Sequence, residues 1–281
     1  MKKVLPVHVS TRPVLLGASL IGVITLGLTA CGRAATPAPG GGAATPSASS
    51  APAKTHTSVP PAPSAATQLA AFFAAAEEAN GKLHHAAALV NGDIGATSMR
   101  YAPATLAAVR ALSVIPAGRA IPAGLPTGLL RDVLVVYGDL DSRTAAFGGV
   151  EMYGSSGREL PISGPEAKAV LHGLHNGAPA AARFSGDLAT ARSLARQTPA
   201  VTIPAPDSRP AAELALRMRS ISIRNGCAEE FGGFAPTSLE AVIWRPAAGQ
   251  HPGHYEGTIG GIRFQADYTA QHAWKIIIYA C

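Results

Sequence analysis

The sequence predicts an α+β fold in which a mainly helical N-terminal two-thirds packs on a C-terminal three-stranded antiparallel meander. Beyond residue 66 most apolar residues recur at helical spacing. Near the C-terminus, residues 262–268 instead alternate apolar and polar side chains, with the period of a half-buried strand. The folded part, residues 67–281, is long enough to bury one sizeable core, so we treat it as a single domain.

Two helices are predicted at the start of this domain. Thr67 can cap the first, whose apolar residues follow at helical spacing, and Asn80-Gly81 indicates a stop or a kink before residues 83–90 resume the pattern. Pro103 suits the first turn of a second helix that ends near residue 112.

The next segment combines a loop with an ambiguous stretch. Repeated prolines in residues 115–128 block helix formation and predict a loop. Residues 128–147 place most of their apolar side chains on one helical face, which favours a helix. Residues 134–137 alone also fit a buried strand, and the sequence leaves that alternative open.

Three further helices are predicted before the sheet. Ser163-Gly164-Pro165-Glu166 is a capping box with an early proline, and the helix that it opens should end at Asn176-Gly177. Two more helices are predicted at residues 187–197 and 208–220, and a nearby proline marks an end of each.

The predicted meander consists of residues 240–245, 262–268 and 274–280. Gly260-Gly261 could supply a bulge that switches the register within the middle strand, because Ile259 lies on the opposite parity from Ile262. The last strand is apolar on both faces, which predicts a central strand or one covered by helices.

The N-terminus has the three-part pattern of a secretory signal. Lys2, Lys3 and Arg12 form a basic leader, and residues 14–28 form an apolar run. That run, about 15 residues long, is shorter than the roughly 20 residues that a membrane-spanning helix needs.

The apolar run ends in Leu28-Thr29-Ala30-Cys31-Gly32, which resembles the lipobox of bacterial lipoproteins. The composition of the chain, rich in Arg, Ala, Gly and Pro, resembles that of lipoproteins of high-GC Gram-positive bacteria. The lipobox resemblance implies cleavage that removes residues 1–30 and attachment of diacylglycerol to the Cys31 thiol. We therefore expect a lipid-anchored protein on the extracytoplasmic face of the cell membrane. The alternative is an ordinary signal peptide with an incidental cysteine.

Residues 31–66 are expected to form an unstructured tether after the lipidated cysteine. Nearly all of them are Ala, Pro, Gly, Ser or Thr, so the segment has almost nothing apolar to bury. The leader and tether also carry most of the formal charge of +6, and the folded part retains 18 basic against 17 acidic residues. Without a basic patch, a nucleic-acid partner is not expected.

The remaining two cysteines, Cys227 and Cys281, are predicted to form a disulfide. Lipidation of Cys31 leaves an even pair, and an exported protein lies in a compartment that permits disulfides. Two buried free thiols are the alternative.

No common catalytic signature occurs in the chain. Asp139 and Asp141 lie two residues apart on a predicted helix and should point to different faces, so we interpret them as a solvated surface and not as a cation site. His172 and His175 share a helical face, yet a position near a helix C-terminus explains a histidine there without any metal.

A weaker candidate for a zinc or acid/base site is the set His251, His254 and His272. A three-stranded meander places their two loops at opposite ends of the sheet, so we expect no metal and no cofactor. The C-terminal aromatic residues could form a ligand platform, but the strand parity favours a core role; they are Trp244, Tyr255, Phe264, Tyr268, Trp274 and Tyr279.

The sequence thus favours a non-enzymatic envelope protein that binds an unidentified protein or small molecule. An envelope hydrolase with a His/carboxylate set from distant parts of the chain is the first alternative, and a purely structural role is the second. An apolar cleft would favour binding, whereas converging histidines and carboxylates in a pocket would favour the enzyme.

Overall fold

The computed structural model describes residues 63–96, 100–150, 162–227, 240–245 and 251–279. Helices occupy the first part and an antiparallel sheet follows, so the predicted α+β class is confirmed. The expected signal peptide, Cys31 and nearly all of the tether lie outside the described residues. The elements are α1 (Ala65–Gly95), α2 (Pro103–Arg110), α3 (Ile115–Ala120), α4 (Thr127–Ala145), α5 (Gly164–Gln197), α6 (Arg209–Cys227), β1 (Val242–Trp244), β2 (His254–Ile259), β3 (Ile262–Tyr268) and β4 (Trp274–Ile278).

Helix α1 is longer than the sequence predicts. Its cap is Ser64, whose Oγ accepts a hydrogen bond from the Thr67 amide at 3.2 Å, so Thr67 lies inside the helix. The predicted stop at Asn80-Gly81 is wrong, because α1 continues through both residues. The buried stripe continues beyond them with Leu83 and Val90, and its burial outweighs the cost of about 1 kcal/mol for a glycine inside a helix.

The predicted helix after Pro103 is confirmed as α2, and the predicted helix near residues 128–147 is confirmed as α4. The strand alternative for residues 134–137 is wrong, since these residues lie within α4. The predicted loop is wrong in part, because α3 begins at Ile115 with Pro116 in its first turn, where proline costs no hydrogen bond.

Helix α5 begins with the predicted capping box. The Glu166 amide donates to Ser163 Oγ at 3.3 Å, and Glu166 Oε2 accepts from the Ser163 amide at 2.7 Å. The predicted end at Asn176-Gly177 is wrong, as is the separate helix at residues 187–197, because α5 is continuous to Gln197 and contains Pro179.

Two glycines inside α5, Gly173 and Gly177, serve helix packing and not termination. A Cβ on Gly173 would lie 2.9 Å from the carbonyl oxygen of Ala146, so only glycine lets α5 approach the end of α4 this closely. Gly177 is buried in the same contact, with Arg143 as its neighbour. The glycine at position 177 therefore predicted a helix end where α5 in fact continues.

The sheet has four antiparallel strands in the order β1-β2-β3-β4, so the prediction of three strands is wrong. Gly260 and Gly261 have φ angles of 55° and 79° and form the two-residue turn of a β2–β3 hairpin. A tight hairpin turn of this kind needs positive φ at both central residues, which glycine adopts without strain. Ile259 pairs with Ile262 across the turn, which accounts for the change of parity that suggested a bulge.

Helix α6 covers one face of the sheet and creates a second core. Ala212, Leu216 and Ile223 of α6 pack against buried side chains of β2, β3 and β4. The core interpretation of the aromatic residues is confirmed for Tyr255 and Phe264, both of which touch Trp244 edge to face. Of the two alternatives predicted for the last strand, the central position is wrong, because β4 lies at the sheet edge. Cover by a helix is confirmed for one face of β4, which packs against α6.

Hydrogen bonds connect the starts of β2 and β4 to the residues just before α6. The Asp207 carbonyl accepts hydrogen bonds from Tyr255 Oη at 3.1 Å and from the Gly253 amide at 2.9 Å. The Pro206 carbonyl accepts from Trp274 Nε1 at 3.1 Å. Strands β2 and β4 therefore both begin beside the N-terminal end of α6.

No helix in the part of the chain that the structure describes has the length and apolar character needed to cross a membrane.

Candidate functional site

A cleft of about 710 Å³ opens between the first two turns of α4 and those of α6. The two helices diverge there and meet farther along, where Ser222 Oγ donates to Asp141 Oδ1 at 3.3 Å and Gly138 lies against Ile221. Because both N-terminal ends line the cleft and the later turns touch, α4 and α6 run in the same direction.

Each helix presents residues at i, i+3, i+4 and i+7 to the cleft, which is one continuous helical face. From α4 these are Thr127, Leu130, Arg131 and Leu134, and from α6 they are Pro210, Glu213, Leu214 and Arg217.

The loop before α4 completes the wall with Gly124 and Leu125. Gly124 has a φ of 78°, and a Cβ there would lie 3.1 Å from Pro204 Cδ. This position therefore requires glycine both for its backbone conformation and for the close approach of Pro204. The resulting turn holds the buried Leu125 side chain against the helical core.

Four leucines form the apolar part of the cleft lining, and three charged residues form the rest of its side-chain chemistry: Arg131, Glu213 and Arg217. Arg217 is partnered, because its Nη2 lies 2.7 Å from Glu213 Oε1 and its Nη1 donates to the Glu240 carbonyl at 3.2 Å. Arg131 is exposed, and no ion pair or hydrogen bond joins it to any residue that the structure describes. The cleft lining therefore carries two arginines and one glutamate.

The helix termini add to this positive charge. Neither α4 nor α6 has an acidic residue in its first turn, and no side chain caps α4 at Pro126. The free amides of a helix N-terminus act as roughly half a positive charge. The two parallel helices place two such ends at one side of the cleft.

A second polar cluster is buried between α1, α4 and α5. The Asp139 side chain is 1% exposed, and Arg183 Nη2 lies 2.5 Å from its Oδ1. Neither Asp139 oxygen accepts a well-directed hydrogen bond from the described residues. The buried Arg143 guanidinium donates to Asn80 Oδ1. The interpretation of Asp139 as a solvated surface residue is therefore wrong, although it and Asp141 do point to different helices.

Burial raises the pKa of Asp139 to about 6. Arg183 opposes this shift, whereas the neighbouring Asp187 carboxylate adds to it. Burial also lowers the pKa of Arg143, against the attraction of Asp139. The cluster ties three helices together, but its carboxylates contact arginine and so resemble a structural network.

The structure brings the two histidine loops to the same end of the sheet, contrary to the expectation from three strands. The added strand moves the second loop, and the Gly253 carbonyl accepts from the Tyr268 amide at 2.7 Å. The rings of His251 and His254 lie 5.4 Å apart, whereas His272 packs on Tyr268 at 6.1 Å. Among the described residues, no group of three or more His, Cys, Asp or Glu could hold a metal ion.

His254 belongs instead to a polar network on the sheet face opposite α6. Its Nδ1 lies 2.6 Å from Asp267 Oδ1, and Gln265 Nε2 donates to Asp267 Oδ2 at 2.8 Å. Glu256 pairs with Arg245 at 2.5 Å. No serine, threonine or cysteine hydrogen-bonds to His254 within the described ranges, so the His–Asp pair has no adjacent nucleophile there.

The other sequence candidates are placed as follows. His172 and His175 are exposed on α5, more than five turns before its end, so the proposed C-terminal dipole effect does not apply to them. The Cys227 backbone ends α6, while its side chain and Cys281 lie outside what the structure describes. The predicted disulfide therefore stays a prediction.

Sequence reasoning missed the cleft altogether. Its only signal is the pair of i, i+3, i+4, i+7 patterns in α4 and α6, which is also the pattern of an ordinary buried face. Comparisons of the chain with family models, with curated proteins and with solved structures found no match.

Proposed function

We propose that this chain is a lipid-anchored extracytoplasmic protein that binds a small molecule in the cleft between α4 and α6. The observation that carries the proposal is the cleft itself. Its volume of about 710 Å³ falls in the range of ligand sites, and a leucine floor with a few charged groups is their usual composition. A purely structural protein needs no such cleft.

The lining favours binding over catalysis. It contains neither histidine nor cysteine, and its one carboxylate, Glu213, is held by Arg217. A hydrolytic site needs a nucleophile or an activated water beside a general base. The second candidate, an envelope hydrolase, is favoured by the 2.6 Å contact between His254 and Asp267, which is the geometry of a base with its orienting carboxylate.

The lipobox at Leu28-Thr29-Ala30-Cys31 supports the location, and the Ala/Pro-rich residues 31–66 supply a tether. In a host that processes lipoproteins, Cys31→Ser should release the protein from the membrane or leave it unprocessed. Fractionation followed by intact-mass measurement checks this. Full retention of a processed Cys31→Ser variant would contradict the anchor.

The ligand site is tested with N-phenyl-1-naphthylamine, a neutral apolar dye that fluoresces in apolar surroundings. The mature chain with Cys31→Ser should bind the dye saturably at one site. Leu130→Trp should weaken binding by about tenfold or more, because the larger side chain narrows the cleft above its leucine floor. Leu171→Trp is the matched control, since Leu171 is an exposed leucine of α5 outside the cleft.

Circular dichroism establishes that both variants are folded. Equal dye affinity in the Leu130→Trp and Leu171→Trp variants, or no saturable binding at all, would refute the cleft as a ligand site.

A further inference from the structure

We propose that the cleft selects amphipathic anions, that is, molecules with an apolar body and one acidic group such as a carboxylate. This inference rests on the proposed function and names the ligand class. Its basis is the distribution of charge around an apolar floor.

The floor fixes the apolar half of the ligand. Leu130 is partly exposed to the cleft, and the buried Leu125, Leu134 and Leu214 lie behind it, so the floor is aliphatic and has no unsatisfied polar atom. An apolar chain that covers this surface gains about 25 cal/mol for each Å² removed from water. A wholly polar ligand would gain nothing from these side chains.

The helix ends favour an acidic group on the ligand. Thr127 and Pro210 belong to the first turns of α4 and α6, and both line the cleft. Parallel helices add their dipoles, so the field at this side of the cleft is positive from both walls.

The charged side chains of the cleft lining also favour an anionic group on the ligand. Glu213 offsets Arg217, with which it is paired at 2.7 Å, so Arg131 gives the lining a net positive charge. Arg131 lies one turn after Thr127 on the same face of α4. An anionic group beside Thr127 would therefore face both a helix N-terminus and a guanidinium.

The test uses three competitors that share one apolar body: decanoate, decanol and decyltrimethylammonium, each below its micelle concentration. Each displaces N-phenyl-1-naphthylamine from the mature chain with Cys31→Ser. We expect decanoate to bind most tightly and the cation most weakly. Arg131→Glu should weaken decanoate roughly three- to thirtyfold, as expected for reversing one exposed charge, and should leave decanol nearly unchanged.

The matched control is Arg119→Glu, which reverses an exposed arginine outside the cleft lining and should change no affinity. Equal displacement by all three competitors, combined with loss of dye binding in Leu130→Trp, would overturn the anion selectivity and leave the proposed function standing. Absence of dye binding in the unmodified cleft would overturn both.

Discussion

Arg183 Nη2 lies 2.5 Å from Oδ1 of Asp139, and this contact joins the half-exposed guanidinium of α5 to a carboxylate that is buried in α4. Water cannot solvate Asp139, and its oxygens accept no well-directed hydrogen bond within the described residues. The pair therefore links helix packing to the protonation state of one carboxyl group.

Asp139 should make the protein more stable in mild acid. Its pKa is raised from 3.8 to about 6, so its contribution is full below pH 3.8 and is lost as the pH rises through about 6. A shift of this size corresponds to about 3 kcal/mol. The free energy of unfolding, measured by urea titration from pH 4 to pH 7, should fall more steeply in the wild type than in Asp139→Asn. Parallel pH profiles for the two proteins would contradict this account.

Arg143 should be important for stability although it lies far from the cleft lining. Arg143→Met keeps most of the side-chain volume but leaves the Asn80 carbonyl without its donor and Asp139 with one neighbouring cation fewer. We expect a loss of about 2 kcal/mol, as for removing a buried hydrogen bond from a charged donor. Arg131→Met removes an exposed arginine from the same helix and should cost less than about 0.5 kcal/mol. Similar urea midpoints for both variants would show that the buried cluster contributes little.

Two glycines should respond to alanine with opposite signs. Gly81 lies inside α1 with open space around a new Cβ, so Gly81→Ala should stabilise the protein by about 0.5–1 kcal/mol. Gly261 also has open space, but its φ is 79°, and Gly261→Ala should cost about 1–2 kcal/mol. Thermal unfolding of the two variants compares them directly, and a stabilising Gly261→Ala would contradict the hairpin turn.

The predicted bond between Cys227 and Cys281 closes a loop of about 55 residues and should contribute roughly 4 kcal/mol. Strand β4 begins beside the start of α6 and runs toward the end of α6 at which Cys227 lies, which supports the pairing. Alkylation without reductant should leave both thiols unmodified, and reduction should lower the unfolding midpoint. Complete alkylation of both cysteines in the folded, unreduced protein would exclude the bond.

The elements that the sequence predicts correctly are those set by long periodic patterns or by local caps. The apolar face of α4 and the capping box at Ser163 and Glu166 depend on neighbouring residues alone, so one sequence suffices for them. Gly177 and Gly260 misled the interpretation because their roles depend on contacts made across the fold or on strand pairing. The same holds for Asp139, whose burial depends on the packing of α4 against α5, where Arg183 contacts it.

The candidate site was beyond prediction for a related reason. Leu130 and Leu134 have the spacing of a core face, and only the divergence of α4 from α6 turns that face into a cleft wall. The histidine loops were predicted to lie at opposite ends of the sheet. The fourth strand places both loops at the same end. Both outcomes depend on how elements pair, which local patterns do not encode.

The central claim, a ligand site between α4 and α6, is tested most directly by amide chemical shifts. Decanoate is titrated into the ¹⁵N-labelled mature chain that carries Cys31→Ser. We predict saturable shifts concentrated in the first two turns of α4 and α6, at residues such as Leu130, Arg131 and Leu214. Shifts centred on the sheet network around His254 and Asp267, or no saturable shifts, would contradict it.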